Sequence, residues 1–403
     1  VFPRFIVGLF ATVTSFLSSA SQAAPQTIRV VTYNIQADVG IDNTTLLGNV
    51  ATAIEGIGQQ KYAGDGVLQR PDIIALQETT SNSTTVAPLV SNLNSNYGSS
   101  AYAYSAYQAT QNGSPTVGNG PNALIYNPNT LNLLSSTGVG TPQGSSNGEY
   151  RQVVRYAFQP LALTGTSNGI FYVYNSHYKS GSASSTSGGT TIGALRNQEA
   201  QLIRNDEAAN LPTTASVIYT GDFNLDGSTE AMYQTLTAVN SPGGVGQGRG
   251  ADPLNPSNDY TQDWSLAAAA PIMTDSVNNL RYRDDLQLMT LNIYNGSPGA
   301  LSYVAGSYHA FGNNGTTAHN GNINSVANTS LNDITGNGPL TPSQVLAAMN
   351  NTTGADHLPV VADYTIAIPE PGSVVLLAIG GAFLLRRGRR RIVATGALSI
   401  PMS

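Results

Sequence analysis

Cysteine is absent from the 403 residues, tryptophan occurs once, and only 10% of the chain is charged. The missing thiol excludes a disulfide framework, a thiolate zinc centre and a cysteine nucleophile. Histidine is scarce too, four in all, so imidazole chemistry has few places to sit. Low charge is not the mark of disorder, which needs high net charge and few apolar residues; here 40% of residues are apolar. Neither a collagen nor a heptad repeat is present. What the chain has in quantity is glycine, 42 residues, with much Asn, Ser and Thr. A chain of this length buries about 75% of its unfolded surface. The balance suits an all-β or α/β secreted protein with long polar loops.

Both ends read as addresses. Arg4 precedes the mostly apolar run from Phe5 to Leu17, and Ser21-Gln22-Ala23 places small residues at the −3 and −1 positions of a cleavage site. Residues 1–23 are therefore expected to be a secretory signal peptide, too short to serve as a mature anchor. At the other end Pro369-Glu370-Pro371 leads into an apolar run from Val374 to Leu385 and a cluster of Arg386, Arg387, Arg389, Arg390 and Arg391. Residues 368–392 resemble the PEP-CTERM sorting signal of Gram-negative bacteria. That resemblance implies cutting by an exosortase-type processing enzyme and export to the cell envelope or extracellular matrix. Without Arg4, the tail arginines and Glu370, 11 basic and 22 acidic residues remain, net −11. So acidic a body has no general attraction for nucleic acid, and phosphate chemistry in it depends on a local site and bound cations.

Between the ends, short β-branched or aromatic runs bounded by Gly, Asn or Pro predict strands at 28–33, 73–76, 123–126, 153–158, 170–174, 217–219 and 286–293. Helices are expected at 47–60 and 193–209, loops at 182–191 and 241–256, and a surface excursion at 312–338. Strand dominance with a few helices points to a two-sheet sandwich flanked by helices.

Polar residues gather at the strand ends. The first strand closes on Asn34; an apolar strand delivers Gln77-Glu78; others give Asn175-Ser176-His177-Tyr178-Lys179-Ser180, Gly221-Asp222-Phe223-Asn224, Arg283-Asp284-Asp285 and Asp356-His357. Hard oxygen donors at Glu78, Asp222, Asn224 and Asp356 suit Mg²⁺, Mn²⁺ or Ca²⁺, and two of the histidines neighbour them or a lysine. With Lys179, Arg151 and Arg155 as phosphate-binding cations, the set fits metal-assisted hydrolysis of phosphate esters. Plainer readings exist. Asp222 to Gly227 opens like an EF-hand loop, but its twelfth position is Tyr233 and a strand precedes it. Arg155 alternates within an apolar strand as a salt-bridge partner would, and His309 and His319 read as surface residues.

The order of these motifs resembles the endonuclease/exonuclease/phosphatase superfamily from Ile28 to Tyr364. The resemblance implies an α/β fold, a four-layered sandwich of two mainly antiparallel sheets flanked by helices, across a catalytic domain at 24–367. It further implies that Glu78 and Asp356 hold a divalent ion with Asn34 in support, and that Asp222 and Asn224 position the attacking water. His357, oriented by Asp285 or by the adjacent Asp284, would be a general base or a phosphate-binding imidazolium. His177 would stabilise phosphoryl charge, with Lys179 and Arg151 as phosphate contacts. Ala355 stands where the family commonly has Ser, and the carboxylate that normally backs the first histidine is not located by its motifs. The leading expectation is a secreted nuclease acting on nucleic acid, with no stable protein partner evident. A phospholipid or small phosphoester hydrolase is the second, and a catalytically inactive matrix-binding protein the third.

Overall fold

In the first strand, β1 (Gln26–Asn34), neighbouring side chains face opposite ways, as the pleat requires. Val31 and Tyr33 join a buried apolar cluster with Val50 and Ile54 of helix α1 (Thr44–Gly58). Thr32 and Asn34 turn the other way and meet polar partners. That division, apolar toward the helices and partly polar between the sheets, recurs across the molecule.

The computed structural model describes residues 25–368 except 38–43, 62–65, 111–119, 141–150, 239–248, 265–271, 276–281, 298, 316–322, 324–327 and 350–354. The leader at 1–23 and the Pro-Glu-Pro tail from 369 onward lie outside the described residues, as does His319. Residues 26–366 form one compact unit.

In chain order, α1 is followed by β2 (Ile73–Gln77), α2 (Ala87–Tyr97), β3 (Ala103–Tyr104), β4 (Ala123–Tyr126), β5 (Leu131–Val139), β6 (Val153–Pro160) and β7 (Phe171–His177). Then come β8 (Thr186–Ser187), β9 (Thr190–Thr191), α3 (Ile192–Asn210), β10 (Ser216–Asp222), α4 (Ala231–Thr237) and β11 (Gly250–Ala251). The last third adds β12 (Asp285–Thr290), α5 (Leu291–Tyr294), β13 (Ser302–Tyr303), β14 (His309–Ala310), α6 (Pro342–Ala348) and β15 (Val360–Ile366).

One sheet runs β13-β15-β1-β2-β4-β3 with β14 also on β15; the second runs β11-β12-β10-β7-β6-β5. Pairing is antiparallel except for β1 with β2 and β7 with β10. Helices α1, α2 and α6 cover the first sheet through Leu46, Val50, Leu89, Leu93, Val345 and Leu346. Helices α3 and α4 cover the second through Ala200, Ile203, Met232 and Leu236. The four-layered, two-sheet α/β architecture expected above is the one observed.

Between the sheets, amides stitch across. Gln77 Nε2 donates to Asn175 Oδ1 at 2.6 Å, Asn175 Nδ2 to the Leu76 and Ala123 carbonyls, and Gln287 Nε2 to the Val30 and Val360 carbonyls. These groups are fully buried, so each unmade bond would cost about 1–3 kcal/mol, and the pairing fixes one sheet's registry against the other.

Three expectations need correction. The strand predicted at 286–293 stops at Thr290, because the Asn292 side chain bonds the Ile293 amide and the Thr214 carbonyl and turns the chain into α5. The segment predicted as a surface excursion carries Ile323, Leu331 and Ile334 into the core against the first sheet. His309 is half-buried in β14, with ring nitrogens 2.7 Å from the Ser307 carbonyl and 3.0 Å from Gln60 Oε1. Arg155 pairs with Asp206, as its alternation suggested.

Arg29 locks the first sheet. It is 1% exposed, bidentate to Asp363 at 2.7 and 2.9 Å, and donates to the Ile57, Gln60, Lys61 and Gln69 carbonyls. Arg29→Met leaves the Asp363 carboxylate buried without its counter-charge. A loss of about 3–5 kcal/mol is expected, read as a lower denaturant midpoint at unchanged slope.

Candidate active site

Six of the residues singled out in the sequence meet at one edge of the sandwich, three from each sheet. Asn34 ends β1, Glu78 follows β2 and Asp356 precedes β15; His177 ends β7, Asp222 ends β10 and Asp285 opens β12. Register explains the meeting: Asn34 lies beside Gln77, while Asp222 lies beside both His177 and Asp285.

Asn34 bridges the sheets. Its Nδ2 donates to Glu78 Oε1 at 3.1 Å and to Asp222 Oδ2 at 2.9 Å. His177 Nε2 sits 3.2 Å from the same Asp222 oxygen and 3.5 Å from Glu78 Oε1. Asn224 folds back on Asp222: its backbone N and its Nδ2 reach Oδ1 at 2.9 and 2.8 Å. On the far side His357 Nδ1 lies 2.7 Å from Asp285 Oδ2, and its Nε2 is 3.9 Å from Asp356 Oδ1. The choice between Asp284 and Asp285 is thereby settled geometrically: Asp285 holds the imidazole. Asp284 instead gives its backbone carbonyl to the Phe223 amide.

The electrostatics follow from this packing. Burial alone would lower His357, yet the Asp285 and Asp356 carboxylates hold it well above the ordinary histidine value. His177 moves the other way, pushed down by burial and by the Arg151 guanidinium. A neutral ring with its proton on Nε2 matches the geometry, since Nε2 faces two carboxylates while buried Nδ1 finds no partner among the described residues. Burial opposes charge on Asp222, but the neighbouring His177 and His357 imidazoles and the Asn34 amide outweigh it and hold the carboxyl far below the usual range. Asp285 and Asp356 are pushed up to about 6, chiefly by burial.

Glu78, His177 and Asp222 offer ligand atoms all within 4.8 Å of one another. Two mostly buried carboxylates this close, with Asp356 adding to the negative field at Glu78, suit a hard divalent cation and fit poorly as an uncompensated cluster.

The backbone is strained where the chemistry sits. Glu78 has φ +55° and Asn224 +50°; Asn tolerates the left-handed region, whereas Glu at such a position costs about 1–2 kcal/mol. Gly120, which the sequence reading missed although a Gly-Pro step marks it, presses on that strained turn. With φ +20°, a Cβ there would lie 2.4 Å from the Thr79 carbonyl oxygen and 2.6 Å from Glu78 Cα. Gly120→Ala must displace Glu78, so turnover is expected to fall on the order of 100-fold, measured against the melting temperature to separate misplacement from unfolding.

Lys179 is half-buried, its carbonyl taken by Arg196, which also clasps Glu230. Arg151 is 3% exposed, and its Nη1 donates to the Tyr178 carbonyl at 2.8 Å and less closely to that of His177 at 3.4 Å.

Among curated proteins, none matches the chain. Solved structures do. An endonuclease/exonuclease/phosphatase from Bacteroides vulgatus is 15% identical, with 85% of this chain and 99% of that one covered and a TM-score of 0.46. D. rerio TDP2 complexed with single-strand DNA product is 13% identical, covering 84% and 99%, TM-score 0.46. The human Nocturnin catalytic domain with bound sulfate is 16% identical, covering 87% and 100%, TM-score 0.44. The family model described as Endonuclease/Exonuclease/phosphatase family matches residues 31–318, most of the chain. With that match spanning β1 through the Asp285 strand, the chain belongs to the endonuclease/exonuclease/phosphatase family.

Proposed function

We propose that this protein is a divalent-metal-dependent phosphodiester hydrolase acting as an extracellular nuclease, exported by its leader and processed at its Pro-Glu-Pro tail. The observation that carries the hydrolase reading is the meeting of Asn34, Glu78, His177 and Asp222 across two sheets, beside the Asp285–His357 pair. Glu78 and Asp356, with Asn34 beside them, would hold the ion, which would polarise a phosphoryl oxygen and offset the charge of the site.

The chain's own residues do the rest. Asp222 stays ionised, and it takes the proton of a water in line with the scissile phosphorus by releasing its longest contact, His177 Nε2 at 3.2 Å. Asn224 spends its amide hydrogens on Asp222 and on the Tyr178 carbonyl, so its Oδ1 is left to accept from that water. His357, held protonated by Asp285, donates to a phosphoryl oxygen as negative charge builds there. His177, neutral, fixes the shared orientation of Glu78 and Asp222.

The test is to incubate the mature domain with circular and end-labelled DNA, RNA and bis(p-nitrophenyl) phosphate in Mg²⁺ or Mn²⁺, with and without EDTA. Metal-dependent cleavage is expected; an absence of cleavage with every substrate and metal overturns the reading. The acidic body, net −11 without its ends, favours a second substrate class, phospholipids or inositol phosphates, because a nuclease gains from a basic face. Including sphingomyelin and inositol phosphates in the same panel decides between them.

A further inference from the structure

We infer that Arg151 is a positioning residue that aims Asn224 through the Tyr178 carbonyl, and that it takes no phosphate. This rests on the hydrolase reading, because Asn224 matters to turnover only if it meets the attacking water.

The Tyr178 carbonyl oxygen has two lone pairs, and two donors fill them: Arg151 Nη1 at 2.8 Å and Asn224 Nδ2 at 3.1 Å. The Tyr178 amide in turn donates to the Asp222 carbonyl at 2.9 Å, so the main chain at Tyr178 is held on both its N–H and its C=O side. Asn224 is in the left-handed region, φ +50°, and its side chain is oriented by two acceptors, Asp222 Oδ1 and Tyr178 O. Remove one and the amide is free to rotate, exchanging its oxygen and its NH₂ at the water.

Arg151 is itself buried in the fold. It is 3% exposed, and the buried Glu199 of α3 interacts with its charge. Its Nη1 is committed to two main-chain carbonyls inside the fold, Tyr178 at 2.8 Å and His177 at 3.4 Å. Arg151 reaches both carbonyls with one planar guanidinium nitrogen, and a lysine ammonium supplies the charge without that planar, rigid donor. Charge alone is not the function.

The experiment is a double-mutant cycle on bis(p-nitrophenyl) phosphate with Mg²⁺ or Mn²⁺, using wild type, Arg151→Lys, Arg151→Gln, Asn224→Ala and the Arg151→Lys/Asn224→Ala pair. The expected result is a kcat lowered roughly 10- to 100-fold in both Arg151 variants, with KM within about twofold. Arg151→Lys should have no further effect once Asn224 is alanine. A fivefold or larger rise in KM, an unchanged kcat in Arg151→Lys, or an undiminished loss in the Asn224→Ala background overturns the assignment and returns Arg151 to the phosphate. Should Arg151→Gln fail to fold, the Lys variant carries the cycle alone. If wild type turns over no phosphoester, the hydrolase reading fails and the coupling is read without activity, from the Asn224 side-chain NH₂ resonance, identified by its loss in Asn224→Ala. A shift of that resonance in Arg151→Lys supports the link, and an unmoved one sinks it.

Discussion

Replacing His357 with alanine is expected to lower kcat by about three to four orders of magnitude. His357 is about a tenth exposed at the mouth of the site, and its one close ionic tether is Asp285 at 2.7 Å. Truncation therefore removes a donor to developing charge, an effect on the order of 10²–10³, and also leaves the buried Asp285 carboxyl without its imidazole partner, with Thr274 beside it. A residue acting only in the transition state lowers kcat and kcat/KM together, which steady-state kinetics on a chromogenic diester reads directly. The same pair makes a pH prediction. Because Asp285 raises the imidazole's pKa, activity that needs the imidazolium persists above the ordinary histidine range and falls as pH rises through the raised value. Asp285→Asn removes the raising charge, so the alkaline limb moves to lower pH. A limb that stays put would mean that His357 works unprotonated.

Asp222→Asn should be comparably severe, on the order of 10³–10⁴ in kcat, but for a different reason. Asp222 accepts from four donors: Asn34 Nδ2, the Asn224 amide, Asn224 Nδ2 and His177 Nε2. An amide puts an NH₂ against at least one of them, so the substitution disorders the ring of contacts as well as removing the proton acceptor. Affinity for Mg²⁺ or Mn²⁺ is expected to weaken in the same variant, because Asp222 shares His177 and Asn34 with Glu78. Calorimetric titration of the metal separates the two effects: a variant with wild-type affinity and no turnover has lost only its base, whereas wild-type turnover would remove Asp222 from the chemistry.

Much of this site is legible in the residues because strand tips announce themselves: an apolar run, then an abrupt polar residue. Asn34, Glu78, His177 and Asp222 all follow that form. The choice between Asp284 and Asp285 is not legible, since adjacent strand residues point to opposite faces and register decides which one enters the site. Helix α2 escapes a periodicity reading because Asn and Ser fill its exposed face and leave Leu89, Val90 and Leu93 as its buried residues. Strand β5, with Ser135, Ser136 and Thr137 at its centre, looks like a loop until β6 pairs with it. Arg151 shows the limit most plainly. A basic residue near a phosphate-handling motif reads as a phosphate contact, and nothing local reveals that the Tyr178 carbonyl claims it.

The antiparallel pairing of β1 with β15, Gln26 opposite Ile366 through Thr32 opposite Val360, joins the two chain extremes of the domain. Asp356 and His357 lie just ahead of that closing strand. A nascent chain still missing its final stretch thus has Glu78 and Asp222 but neither the last carboxylate nor the imidazole. Chains terminated ahead of β15 should therefore be inert, so that activity is withheld until the closing strand has been made.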